Sequence, residues 1–339
     1  MRYLYSAMTR KEKHENCDVL VSGGGVPGLT LAALLGPLGL RVTVIDPHPP
    51  QPLSAIRPEG RTAALMAGSV NILKSTGAWD QCAKYGAALE TLAIVEQGSR
   101  HTKPVRADFR AGDAGLPCFG VNIPNSTLRA AMAERCAGIR GVELLSGAVE
   151  SFTADDFGIT AALNDGTAIR ARLLVGADGR NSKVRESCGI DVWERAYGQK
   201  AITCLIRHSR SHSNISTEFH RPGGPFTMVP MPGHVSSIVW VEYDDDADAF
   251  MKLRRQDFEQ ALQDRTEGCL GTVHLETMPE AWPLKALRAE SLIAPRIALM
   301  AEAAHVVHPL GAQGLNLSLR DAATLAEEVA DAARNGLDI

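Results

Sequence analysis

The sequence predicts an α/β fold in which a parallel-sheet domain is built from discontinuous segments and a β-rich domain is inserted between them. Three observations predict it. Strand, turn, helix and strand patterns follow one another from Asp18 to Asp46. Two more apolar strands, each closed by an acidic residue, come far later, one ending at Asp178 and one at Glu302. Between these lie stretches, notably 200–245, with the alternation and β-branched content of strands. At 339 residues the chain is long enough for two such domains.

The first unit reads "DVLVSGGGVPGLTLAALLGPLGLRVTVID". Val19 to Val21 form a short apolar strand. Leu29, Ala32, Ala33 and Leu35 mark a helix that stops near Gly36-Pro37 or Gly39, and Val42 to Ile45 make a second strand ending at Asp46. The run Val19 to Leu40 is long enough to suggest a membrane span, but it holds six glycines and two prolines and begins with strand character. A buried strand, turn and helix is the better reading. "PHPPQPLSAIRPEG" can only be loop. Met66, Val70 and Leu73 then recur at helical spacing, with Gly77 as a stop, and residues 80–120 are irregular or sheet-like. "NSTLRAAMAERCAG" reads as a helix capped by Asn125 or Ser126. Residues 142–179 read as a meander of short strands with an Asn-Asp-Gly turn. A helix follows at 255–264, and Leu315, Leu319, Ala322, Leu325 and Val329 mark a last one. Asp244 to Asp246 with Asp248 read as a solvated loop.

Composition narrows the classes. The apolar fraction is 45%, the charged fraction 22% and the net charge −4, which gives no reason to expect a nucleic-acid partner. The seven cysteines are scattered without a C-x-x-C pair, so neither a zinc site nor a dithiol centre is suggested, and a reducing, cytoplasmic setting follows. "MRYLYSAMTRKEKHENC" lacks the apolar core of a signal peptide and reads as a disordered lead-in.

Gly23, Gly25 and Gly28 form G-x-G-x-x-G between a strand and a helix. The first glycine permits the tight turn, the second lets a pyrophosphate approach the backbone, and the third allows close helix packing. Asp46 stands eighteen residues after Gly28, where a carboxylate accepts hydrogen bonds from ribose hydroxyls. This is a Rossmann-like dinucleotide fingerprint, equally compatible with NAD and FAD. "LLVGADGRNSKVRESCGI" follows at 173–190. Its Asp178-Gly179 also suits a type I′ turn, but the polar residues after it look like a helix start rather than a returning strand.

The order GGGVPG, GADGRNSKVR and AEAAHVVHPLGAQGLNLSLRD resembles the group A flavin-dependent aromatic hydroxylases, with the para-hydroxybenzoate hydroxylase-like fold. Within them it looks most like the ubiquinone-biosynthesis hydroxylases, whose "RPGGPFTMVPMPG" (221–233) and "WPL" (282–284) segments also fit. The resemblance covers nearly the whole chain from Cys17. It implies an FAD-binding domain from 1–80, 121–190 and 291–339, and a substrate domain from 81–120 and 191–290. It also implies FAD as cofactor, held by Gly23, Gly25, Gly28, Asp46, Arg61, Asn125, Asp178, Glu302, Gly311, Gln313 and Gly314. Glu302 would take a ribityl hydroxyl, and His305, His308 and Pro309 would pass beside the isoalloxazine. His308 and Pro309 are accordingly the catalytic candidates. Three departures stand out. Ala301-Glu302 replaces the usual Gly-Asp, Ala312 stands where many relatives have Gly, and Ser126 stands where they often have Arg.

The implied activity is an NADH- or NADPH- and O2-dependent monooxygenase that hydroxylates an aromatic ring, here a prenylated phenol of ubiquinone biosynthesis, through a flavin C4a-hydroperoxide. Such a substrate leaves peripheral contact with the inner face of a membrane open, as well as a homodimer or a biosynthetic complex. A NAD-dependent dehydrogenase would not explain the second and third motifs, a disulfide-type reductase needs a redox cysteine pair, and a flavin halogenase carries a W-x-W-x-I-P signature absent here. The non-enzymatic alternative is a scaffold subunit that no longer holds FAD. His305 and His308 suggest no metal, since Pro309 and the glycines favour a loop and no third ligand is apparent.

Overall fold

A computed structural model describes residues 15–96 and 105–339. The expected lead-in at the N-terminus falls outside the described residues, apart from its last positions.

One sheet runs in the order Ile293–Ala294, Ile297–Leu299, Leu173–Gly176, Val19–Ser22, Val42–Asp46, Val142–Ser146. All neighbours are parallel except the first short pair. Its strands are apolar on both faces because both are covered. Val19, Val21, Val42, Val44 and Val175 turn toward the helices Val26–Leu35, Ala67–Thr76, Asn125–Ala137 and Gln313–Arg334. Leu20, Ile45, Leu145 and Leu174 turn the other way, onto Ile159, Ala161, Leu163 and Ile169 of an antiparallel meander. That meander comprises Val149–Asp155, Gly158–Leu163 and Ala168–Ala171. The expected 142–179 meander is therefore only its middle portion; its first and last strands pair into the parallel sheet, whose apolar layers they complete. The helix Val26–Leu35 is buried on nearly every side, so it carries no amphipathic stripe.

Among the described residues the second large sheet has nine strands. Along its main path lie His305–Val306, Glu280–Ala289, Val192–His208, Val235–Tyr243, Phe226–Met231, Ile215–His220, Thr91–Glu96 and Val105–Arg110; Val273–Leu275 pairs beside Val192–His208. Alternation again assigns the faces. Ile202, Cys204, Ile206, Ile238 and Trp240 pack with Phe250, Phe258 and Leu262 beneath the helices Asp244–Met251 and Arg255–Arg265. Ala201, Val239, Val241 and Leu284 lie on the opposite, inner face with Tyr197. Ser237 shares that face, and its hydroxyl accepts from Thr62 Oγ1 at 2.8 Å. Thr62 belongs to a small sheet, Thr62–Met66, Gly120–Pro124 and Ala87–Leu89, between the two large ones.

Two local expectations need correction. Asp244, Asp245 and Asp246 are not a solvated loop but the first turn of a helix, where carboxylates meet the positive helix end; Ala247 and Phe250 bury its other face, and Asp248 accepts from Lys200 Nζ at 2.5 Å. Neither Asn125 nor Ser126 caps the helix Asn125–Ala137. Pro124 is the cap residue, and a distant carboxylate, Glu59 Oε1, accepts the Ser126 N–H at 2.5 Å.

Candidate functional site

Three turns, at Gly23, Asp178 and Ala301, leave the carboxyl ends of neighbouring parallel strands, where Asp46 also ends a strand; this is the place where open α/β sheets bind ligands. After Ser22 the chain enters the glycine turn. Gly23 has φ +117°, and a Cβ there would lie 2.2 Å from the Ala177 carbonyl oxygen. At Gly28 a Cβ would lie 2.1 Å from the Gly23 oxygen. Both glycines are thus required by protein–protein contact alone. Gly25 differs: the nearest atom to a Cβ is Pro27 Cδ at 3.7 Å, so its surface is open, with the start of a helix directly behind it.

Asp46 closes the next strand and holds this turn in shape. Its Oδ2 accepts the Gly24 N–H at 2.7 Å, and Oδ1 accepts the His48 N–H at 2.7 Å and pairs with Arg129 at 3.0 Å. Arg129 Nε also donates to the Gly24 oxygen at 2.7 Å. A carboxylate has about four acceptor positions, so one on Oδ2 is uncommitted by these contacts.

In the second turn, Ser182 Oγ caps the short helix Lys183–Ser187 by accepting the Arg185 N–H at 3.0 Å. This is the helix start, not the hairpin, of the two sequence readings. Asp178 Oδ2 accepts the Val184 N–H at 3.2 Å, whereas its Oδ1 is buried without a partner among the described residues. Arg185, 8% exposed, donates to the Ala303 oxygen at 2.9 Å and the Arg180 oxygen at 2.8 Å, tying the second turn to the third.

The third turn begins at Ala301, with φ +56°. The Ala301 N–H donates to Asp321 Oδ2 at 2.9 Å, and His305 Nε2 meets the same oxygen at 2.7 Å. Glu302 is about half exposed and stands 3.8 Å from Arg180 Nε. His305 and Val306 pair with Arg288 and Leu287, so the chain crosses here from one sheet to the other. His308 packs edge-on against Tyr197 with ring centres 4.9 Å apart, and burial pushes its pKa below the ordinary 6.5. Beyond Pro309, Gly311 (φ +67°) and Ala312 (φ +52°) lead into the helix Gln313–Arg334, whose first amides lack intrahelical acceptors. Gln313 Nε2 donates to the Gly311 oxygen at 3.0 Å, and Gly314 has open space where a Cβ would be. Buried Asn316 fixes this bend: its Oδ1 accepts the Met66 N–H at 2.9 Å and its Nδ2 donates to the Ala312 oxygen at 2.7 Å.

A further cluster lies at Asn125 and Ser126, whose Oδ1 and Oγ are buried with no partner among the described residues. The Asn125 N–H donates to the Arg61 oxygen at 3.1 Å, while the Arg61 guanidinium sits 4.6 Å above the Trp282 ring. Direct contacts therefore join Gly23 to the Asp178 turn, Asp46 to the glycine turn, and Glu302 to Arg180. His308 is instead coupled to the inner face of the large sheet. Among the described residues no three His, Cys, Asp or Glu gather as a metal site. A cavity of about 330 Å³ lined by Arg221, Glu242, Tyr243, Asp246 and Arg265 belongs elsewhere, because Glu242 shares the helix-covered face with Trp240.

Sequence reasoning missed Asp321, Arg129, Glu59 and Asn316. Only Asn316 left a signal, as a polar residue interrupting the apolar stripe of the last helix.

The open Gly25 surface, the free position on Asp46 and the unpartnered Asp178 Oδ1, Asn125 Oδ1 and Ser126 Oγ fit an elongated, hydroxyl-rich dinucleotide. This fold and these turns define an α/β dinucleotide-binding protein. The chain belongs to the FAD binding domain family, whose model matches residues 16–336. Ubiquinone hydroxylase UbiL of Rhodospirillum rubrum is 37% identical over 322 residues, 95% of this chain and 74% of that protein. The 3-demethoxyubiquinol 3-hydroxylase of Escherichia coli is 29% identical, over 94% of this chain and 81% of that one. Among solved structures, PqsL of Pseudomonas aeruginosa, described as a probable FAD-dependent monooxygenase, superposes with a TM-score of 0.79 at 25% identity, covering 95% of this chain and 88% of its own.

Proposed function

We propose that this protein is an FAD-dependent monooxygenase that hydroxylates the ring of a phenolic, prenylated precursor in ubiquinone biosynthesis, with NADH or NADPH as electron donor and O2 as co-substrate. The observation that carries the reading is the 37% identity to a ubiquinone hydroxylase across 95% of the chain. The unpartnered side-chain oxygens of Asp178, Asn125 and Ser126 support it.

Bound FAD would supply the redox and oxygen chemistry. Gly23, Gly25 and Gly28 would admit the pyrophosphate and Asp46 a ribose hydroxyl. Asp178 and Glu302 would receive hydroxyls further along, with Glu302 reaching one methylene beyond the usual aspartate. Asn125 and Arg61 would border the ring system. The backbone of Gly311, Gln313 and Gly314, at the positive end of a 22-residue helix, would stabilise negative charge on the cofactor. His308, held toward its neutral form by burial, would accept the proton of a phenolic hydroxyl, and Pro309 would fix its approach.

The test is an absorption spectrum of the purified chain with FAD titrated in, followed by NADH and NADPH oxidation with and without a phenolic quinone precursor. An oxidised-flavin spectrum and precursor-stimulated oxidation are expected. A folded chain that takes up no flavin at saturating FAD refutes the reading and leaves the scaffold alternative.

A further inference from the structure

The inner face of the large sheet carries two polar atoms with nothing to bind. Thr203 Oγ1 and Trp282 Nε1 are both buried and have no hydrogen-bond partner among the described residues. Ala201 stands opposite Trp282 in the ladder between Val192–His208 and Glu280–Ala289, and Thr203 lies two residues further along. Period-two alternation puts both side chains on one face as diagonal neighbours. The rest of that face is apolar, with Ala201, Val241 and Leu284 buried on it. Its two ends meet the candidate site. Tyr197 touches His308 at one end. At the other, Gly60 packs on the strand backbone so closely that a Cβ would be 3.1 Å from the Thr203 carbonyl oxygen, and Arg61 stacks on Trp282.

An indole N–H is a donor only, and a threonine hydroxyl donates or accepts. Two unsatisfied donors on adjacent strands of an apolar wall are matched by a ligand oxygen with two lone pairs. We propose that Thr203 and Trp282 determine substrate specificity by gripping one acceptor oxygen on an electron-rich aromatic ring, a phenol, aryl ether or quinone-type carbonyl. The proposal deepens the hydroxylase reading and rests on it.

The test uses the FAD-loaded protein, Trp282→Phe, Thr203→Val and the double variant, titrated with 2-methoxyphenol and followed by the change in flavin absorption. Toluene, which has no oxygen, is the control, and melting temperature and FAD affinity are measured alongside. Each single variant should bind 2-methoxyphenol about three- to tenfold more weakly, the span expected for one neutral hydrogen bond. The double variant should lose less than the product, since both bonds end on one oxygen. Toluene binding and FAD affinity should not change, and melting temperatures should hold or rise, because each substitution removes an unsatisfied buried atom. Unchanged affinity for 2-methoxyphenol, an equal loss for toluene, or no binding to the FAD-loaded wild type would each overturn the anchor. Failure to load FAD would overturn the hydroxylase reading beneath it.

Discussion

Asp321 offers the sharpest test of how the third turn is held. One of its oxygens takes both the Ala301 N–H and His305 Nε2. Asp321→Ala leaves that N–H without an acceptor, and Ala301 is only 5% exposed, so water is a poor substitute. An unsatisfied buried donor costs about 1–3 kcal/mol. The lost bond to the partly exposed imidazole adds at most about 1 kcal/mol, since partly exposed polar pairs contribute little. The variant should therefore be about 1–4 kcal/mol less stable in urea unfolding of the FAD-free protein. Asp321→Asn keeps one acceptor oxygen and should lose less than half as much. Because the same turn presents Glu302, FAD should also bind Asp321→Ala at least about tenfold more weakly, equivalent to ~1.4 kcal/mol. Wild-type unfolding would refute the hydrogen-bond account. A destabilised variant with wild-type FAD affinity would instead refute the role given to Ala301-Glu302.

The glycine turn separates packing from ligand access. Gly28→Ala drives a Cβ into the Gly23 oxygen and should lower both stability and FAD binding, whereas Gly25→Ala should unfold like wild type and lose FAD affinity alone. Ala312 sits at φ +52°, partly exposed, so Ala312→Gly should raise the unfolding free energy by about 1 kcal/mol in urea. Burial holds His208 and His308 below the ordinary 6.5, and His208 is 3% exposed. Above pH 6.5 the imidazoles are neutral in both states and their contribution to stability is intact. Below it the unfolded chain takes up protons first, so urea midpoints should fall as the pH drops from 6.5 toward about 5.5. His208→Gln should flatten that slope, and an unaltered slope would contradict the assignment.

The fold was legible wherever local pattern and burial agree. Val19 to Val21, Val42 to Ile45 and the residues before Asp178 and Glu302 read as strands because each is apolar on both faces, and the glycine spacing located the first turn. The caps were not legible. The helix at Asn125 begins with two good capping residues, yet Glu59 performs that task from 67 residues away, leaving Asn125 Oδ1 and Ser126 Oγ unpartnered. Local propensity identified the residue types, and tertiary contact reassigned their hydrogen bonds. Arg129 and Asp321 escaped notice for the same reason, since their partners lie 105 and 20 residues away. Ala301 and Ala312 were visible as departures from glycine. Only the backbone shows that both occupy left-handed conformations.

The strand order of the parallel sheet bears on the protein's birth. Leu173–Gly176 sits between Val19–Ser22 and Ile297–Leu299. At ribosomal rates of about 5–20 residues per second, the ~120 residues separating it from the later partner take roughly 6–24 s to synthesise. For that interval the outer edge of Leu173–Gly176 has no partner, and Arg185 has no Ala303 carbonyl to hold. An open, apolar strand edge invites intermolecular pairing. The nascent chain should accordingly depend on chaperones more than a domain of equal size with local topology, and slowing translation after Gly176 should increase its aggregation.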